Sequence, residues 1–267
     1  MDCWHHQSWG QGKENTVAGT RNSAATTPCT QCPLRKLAAF REFTAEELAF
    51  VATLKSGECR VDQGATILRE AESSPNLFTV LSGWAFRYKT LPDGRRQILN
   101  FAMPGDFLGL QTAVFKEMDH SVEALTPMVL CTFPRDKMWS IYQGHAGLAF
   151  DLTWIASREE RLLDEQLLSV GRRSAMESIA FVLVHISNRA ISLKLATTRD
   201  GLSLPFTQQQ LADALGLSLV HTNKTIRKLS NRGLMIWKNG YFKILDANEL
   251  SRIAGYVPVE SQPRPLI

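Results

Sequence analysis

Apolar and polar residues recur with different periods along this chain, and the changes of period divide it. Between residues 59 and 134 the apolar residues fall in short β-rich runs, TILRE, LFTVLSGWAFRYKT, QILNFAM and PMVLCTF. Gly64, Ser82-Gly83, Asp93-Gly94 and Pro104-Gly105-Asp106 punctuate them. Many short strands at this spacing predict a β-sandwich or β-roll. Asp93-Gly94, set between WAFRYKTLP and RRQILNFAM, predicts its clearest hairpin. Ahead of the strands, Thr44 with Glu47 three residues on predicts a capping box opening a helix over 45–54.

From residue 145 helix formers take over. Leu148, Leu152, Ile155 and Leu162 follow at spacings of 4, 3 and 7, the stripe of a long amphipathic helix with a break near Gly171. A helix of about 20 residues is about 30 Å long, too long for a small roll to cover alone. A second copy of the chain is therefore expected on the stripe, packing within the monomer being the alternative.

The pattern shortens again after residue 206. Thr207–Leu215 reads as a short helix with Leu211, Ala214 and Leu215 on its apolar side, Gly216-Leu217-Ser218 as a turn, and Ser218 as the cap of a second helix. On that second helix Leu219, Thr222, Ile226 and Leu229 form a packing stripe, while Val220, Asn223, Lys224 and Arg227 form another. LMIWKNGYFKIL alternates around Asn239-Gly240 and predicts a hairpin. Helix, turn, helix and hairpin in this order predict a winged helix-turn-helix.

Charge changes what that unit is for. Residues 207–252 hold seven Lys/Arg against three acids, whereas cations and acids balance elsewhere in a chain of formal charge +4. The excess cation belongs to one segment and points to a local anionic partner, double-stranded DNA. Asn pairs bidentately with adenine, and Lys donates to guanine O6 and N7 in the major groove. Lys228, Arg232, Lys238 and Lys243 are placed to hold phosphates, which position without reading sequence. A solvated cationic helix is the bland alternative, and the order of elements weighs against it.

Composition narrows the rest. At 267 residues with 44% hydrophobic content the chain has room for about two domains. Uncharged stretches such as Ile179–Leu183 fall far short of the roughly 20 apolar residues that cross a bilayer. MDCWHHQSWGQGKENTV lacks the layout of a secretory signal, so a cytoplasmic protein without membrane contact is expected. Five cysteines, an odd count, argue against a disulfide scaffold. No Ser-His-Asp set, phosphate loop or zinc-protease motif occurs, and no enzyme is expected; a thiol-disulfide enzyme at CTQC would need a βαβ setting that is absent.

These motifs together resemble the Crp/Fnr family of bacterial transcription regulators over residues 29–256. GATIL, LFTVLSGWAFRY and LPDGRRQILNFAMPGDFLGL match its cyclic-nucleotide-binding-type roll, and FTQQQLADALGLSLVHTNKTIRKL matches its DNA reader. The resemblance implies an α+β chain with an N-terminal β-roll, a long dimerisation helix and a C-terminal winged helix-turn-helix. Its divisions are a disordered tail (1–28), a sensory roll (29–144), the dimer helix and linker (145–190), the DNA-binding domain (191–257) and a tail (258–267). It further implies a homodimer on a two-fold operator, RNA polymerase as a partner, and a DNA-contact set of Gln208, Ser218, Val220, His221, Asn223, Lys224, Arg227, Lys228, Arg232 and Lys238.

Two departures matter. Members that bind cAMP carry an acid after the PGD turn and an Arg-Ser pair further on; here those places hold Leu110 and His120-Ser121. A cyclic phosphate would lack its bidentate cation, so cAMP is not expected and an oxygen, redox or other small signal is, a cyclic-nucleotide-responsive regulator being the alternative. Val220 stands where well-studied members carry Glu, so the operator half-site cannot be copied across. Finally, Fnr-type oxygen sensors hold a [4Fe-4S] cluster on four cysteines. Cys29, Cys32 and Cys131 match three, and Ala38 stands at the fourth. Cys3, His5, His6 or Cys59 remain as the missing ligand of such a cluster, against a zinc or partial-cluster site, a dithiol switch at Cys29/Cys32 or inert thiols. Cys59 and His120 alone read as structural.

Overall fold

The computed structural model describes residues 20–22, 26–257 and 262–267. The chain runs β1 (Thr20–Asn22), α1 (Ala45–Leu54), β2 (Gly57–Val61), β3 (Thr66–Leu68), β4 (Asn76–Ser82), β5 (Ala85–Thr90), β6 (Arg96–Ala102) and β7 (Phe107–Leu108). Then come α2 (Leu110–Phe115), β8 (Ser121–Ala124), β9 (Met128–Pro134), α3 (Met138–Gly144), α4 (Ala146–Gly171) and α5 (Ala175–Ser192). The C-terminal part holds β10 (Leu202–Ser203), α6 (Gln208–Leu215), α7 (Leu219–Asn231), β11 (Met235–Lys238), β12 (Tyr241–Ile244) and α8 (Ala247–Ala254).

Two sheets, in strand orders β1-β2-β9-β4-β7 and β3-β8-β5-β6, form the expected roll. Strands β5 and β6 make the Asp93-Gly94 hairpin, with Thr90 opposite Arg96 and Gly94 at φ +87°. The Thr44 side chain accepts from the Glu47 N–H and the Glu47 carboxylate from the Thr44 N–H, so the capping box of α1 forms as read.

Segments expected to be tails take part in the fold. Residues 1–19 and 23–25 of the first lie outside the described residues, but β1 pairs antiparallel with β2, Thr20 opposite Val61. The edge of β2 offers unpaired backbone groups that a short extended segment satisfies. At the other end Leu266 and Ile267 are buried in the roll.

The helical region divides differently from its expected boundary. Helix α4 ends at Gly171, the break read from the sequence, and Ser174 opens α5 with a second capping box. Helix α5 packs on α7 and α8, so the DNA-binding domain begins near residue 174 and not at 191. An amphipathic stripe does not state which domain will cover it. Leu148, Leu152 and Ile155 of α4 pack into the chain's own roll. Beyond them Leu163, Leu167 and Val170 are exposed, Leu167 at 73%.

One apolar core runs across the domain boundary. It joins Phe86, Ile98 and Phe101 of the roll to Ile179 and Leu183 of α5 and to Leu211 and Leu215 of α6. Phe101 and Phe206 stack at 4.4 Å between ring centroids. Gln97 of β6 donates to the Ala214 carbonyl at 2.8 Å, and Gln166 of α4 donates to the same oxygen. The last-turn carbonyl of α6, orphaned as all such carbonyls are, is thus satisfied by the roll and the long helix together.

Candidate nucleic-acid interface and cysteine cavity

Helices α6 and α7 meet through the predicted turn. Gly216 caps α6 at φ +64°, a left-handed position that glycine adopts without Cβ strain. The Ser218 hydroxyl caps α7 by accepting from the His221 N–H at 3.2 Å. The buried stripe of α7 is Thr222, Thr225, Ile226 and Leu229. Leu219, expected to pack, is 39% exposed, and Thr225 packs in its stead.

The opposite face is presented to solvent. Val220, His221, Asn223, Lys224, Arg227 and Lys228 are exposed, Val220 at 77%. Among the described residues Lys224, Arg227, Lys228 and Lys238 make no ion pair, so their charge is available to a partner. Lys238 projects from the wing, where β11 and β12 pair Lys238 with Tyr241 across Asn239-Gly240. Both turn residues have positive φ, +52° and +78°, as a two-residue hairpin requires. Gln208 stands half-buried at the start of α6. Arg232 differs from its expected role: its guanidinium donates to Glu249 of α8 at 3.1 Å. A carboxylate within reach claims this cation for the α7–α8 contact.

The three cysteines converge. Cys29 and Cys32 flank the short turn Cys29–Gln31, and Cys131 lies on β9; all three line one cavity with Arg35, Lys55, Thr79, Leu266 and Ile267. Burial pushes the Cys131 thiol up to about 12 against the pull of the Lys55 ammonium, and burial also raises Cys29. The Nε and Nη1 of Arg35 are buried without a partner. Arg35 and Lys55 were not singled out from the sequence, although Arg35 lies just three residues beyond Cys32. Cys59 is buried in a different core cluster, and Cys3 lies outside the described residues.

The cavity tests the cluster directly. Its free volume is about 20 Å³, room for about one water. Among the described residues no three His, Cys, Asp or Glu side chains converge on a metal position. A [4Fe-4S] cubane takes four ligands; the described residues supply three thiols at this cavity, and Cys3, His5 and His6 lie outside the described residues.

Residues of the roll near the positions compared with the cAMP-binding members have partners within the chain. Arg87 pairs with Glu159 of α4 and donates to the Phe107 carbonyl. The Ser121 hydroxyl accepts from the Glu70 N–H at 3.0 Å, and Leu110 opens α2. His120 is held down to about 3 by burial and by the Arg87 and Lys89 cations.

Residues 58–145 match the cyclic nucleotide-binding domain family, and residues 177–253 match the Crp-like helix-turn-helix domain. The nitrogen fixation regulation protein FixK of Bradyrhizobium diazoefficiens is 30% identical over 85% of this chain and 93% of its own. The chain belongs to the Crp/Fnr family. Another relative, the transcriptional activatory protein AadR of Rhodopseudomonas palustris, is 32% identical over 70% of this chain and 77% of its own. The solved structure of FixK2 from Bradyrhizobium japonicum, 24% identical, shares the fold over 75% of this chain and 98% of that one, with a TM-score of 0.68. Crp/Fnr regulators bind DNA and act as dimers, and this chain is a DNA-binding transcription regulator of that type. No described helix is long and apolar enough to cross a membrane.

Proposed function

We propose that this Crp/Fnr regulator reads a two-fold operator as a homodimer through Asn223, Lys224 and Arg227, and contacts RNA polymerase once seated. The observation that carries the reading is the α7 face, exposed, rich in hydrogen-bond donors and without ion pairs among the described residues. Lys228 holds the phosphates beside it and Lys238 holds those under the wing. The exposed leucines of α4 seat the second copy, which sets the two recognition helices about 34 Å apart. No catalytic step is needed.

The signal enters at the cysteine cavity. Cys29 and Cys32, half-buried beside the Arg35 and Lys55 cations, are the thiols within reach of a small oxidant, whereas Cys131 is buried; Leu110 and His120-Ser121, at the places where cAMP-binding members carry an acid and an Arg-Ser pair, speak against cAMP. No step is routed through an iron-sulfur cluster. Selection of binding sites from random duplexes, followed by affinity measurement on the Asn223→Ala and Lys224→Ala variants, tests the reading. A two-fold consensus whose discrimination weakens in those variants supports it; a consensus unchanged by both variants refutes it.

A further inference from the structure

Residues 262–267 follow the DNA-binding domain in the chain and lie on the sensory roll. The Arg264 N–H donates to the Ala39 carbonyl and the Arg41 N–H to the Arg264 carbonyl, each at 2.9 Å, a parallel bridge beside Phe40. The Arg264 guanidinium donates to Asp106 at 2.6 Å and to the Pro104 carbonyl at 2.8 Å, and stacks on the Phe40 ring. Leu266 and Ile267, both buried, form a wall of the cysteine cavity. Arg35 donates to the Leu266 carbonyl at 3.0 Å, and the Thr79 hydroxyl donates to the Ile267 carbonyl.

Asp106 ties this segment to the DNA-binding domain. Its carboxylate also accepts from Arg189 of α5 at 2.6 Å and faces Arg158 of α4 at 3.5 Å. One buried carboxylate therefore joins four parts of the chain: the roll that carries it, the long helix, the DNA-binding domain and the C-terminal segment. Covalent reach adds a second link. Five residue steps separate Val257 from Gln262, so the end of the DNA-binding domain stays within roughly 18 Å of the docked segment.

We infer that residues 262–267 are a strap that plugs the cysteine cavity and holds the DNA-binding domain on the roll, so that cavity and domain open together. With about 20 Å³ free and Cys131 buried against it, anything larger than a water that reaches Cys131 through this cavity displaces Leu266 and Ile267. Their departure draws Arg264 from Asp106 and lengthens the tether. The two Arg35 N–H donors left unpartnered by the strap face any anionic group formed in its place.

The test is thiol labelling with N-ethylmaleimide, followed residue by residue by mass spectrometry, on the full chain, on Leu266→Glu and on a chain ending at Tyr256. Amide exchange over residues 208–217 is read in the same samples. The strap predicts that Cys131, the buried thiol of the three, labels at least about tenfold faster in both variants, and that exchange over 208–217 accelerates with it. Cys59, in the other core cluster, must keep its rate. Equal acceleration at Cys59 means that the roll has loosened generally and overturns the inference. Unchanged labelling in Leu266→Glu also overturns it, whether or not the shortened chain folds, as does faster labelling with unaltered exchange. Neither readout involves DNA, so failure of the operator reading moves neither.

Discussion

Asn223 and Lys224 lie on a face that contributes nothing to the core, which is why substitution there should separate recognition from stability. Asn223→Ala and Lys224→Ala are expected to lose about 1–3 kcal/mol of discrimination between operator and altered operator with thermal midpoints unchanged. Lys228→Ala should weaken binding to all duplexes alike and lower the salt slope by about one. Arg232→Ala should behave differently from all three. Its partner is Glu249, an exposed pair contributing about 0–1 kcal/mol, so a small loss of stability and an unchanged salt slope are expected. Titration supplies another residue-scale prediction. His120 and His185 are both held down to about 3, His120 by burial, Arg87 and Lys89, and His185 by burial, Arg189 and Arg158. The folded values lie below the ordinary 6.5, so between them the unfolded chain binds more protons than the fold. Stability is complete above about pH 6.5 and falls as pH drops below it. Thermal midpoints recorded between about pH 7 and about pH 5 should decline, and His120→Gln should flatten the decline.

At the scale of elements the account turns on α4, whose two ends do different things. Leu148, Leu152 and Ile155 close the roll, and Leu163, Leu167 and Val170 are exposed, the face proposed to seat the second copy. Leu167→Glu is expected to convert the dimer to monomer in sedimentation velocity while leaving the circular dichroism of the fold intact. Thr44→Ala, by contrast, removes one side of the α1 capping box and should cost about 0.5–2 kcal/mol. Elements with local causes were legible in the sequence. Thr44 and Glu47, Ser218 after Gly216, and Asn239-Gly240 each form within a few residues of chain, and each stands where it was read. Elements whose partners are distant were not. Helix α5 carries Ile179, Leu183 and Ile186 in a stripe that reads alike against a dimer partner or against α8. Leu219 fits the spacing of the α7 stripe but not the position of the helix it would touch.

For the whole molecule, the sensory and DNA-reading parts share one core, one carboxylate and one strap, so a change at the roll need not travel through a wire of side chains. It need only shift the balance between docked and undocked arrangements. The convergence of Cys29, Cys32 and Cys131 with Arg35, Lys55 and the C-terminal segment could not be seen from spacing, because four separate stretches of chain build it. Its consequence for DNA is geometric: two copies joined along α4 present two recognition helices at a fixed separation. Fluorescence anisotropy on the selected two-fold operator, and on a copy with about five base pairs, half a helical turn, inserted between its halves, tests this most directly. The account predicts that the insertion lowers affinity at least about tenfold, because the second half-site then faces away from the second recognition helix. Equal affinity for the two duplexes, or for a single half-site, would contradict it.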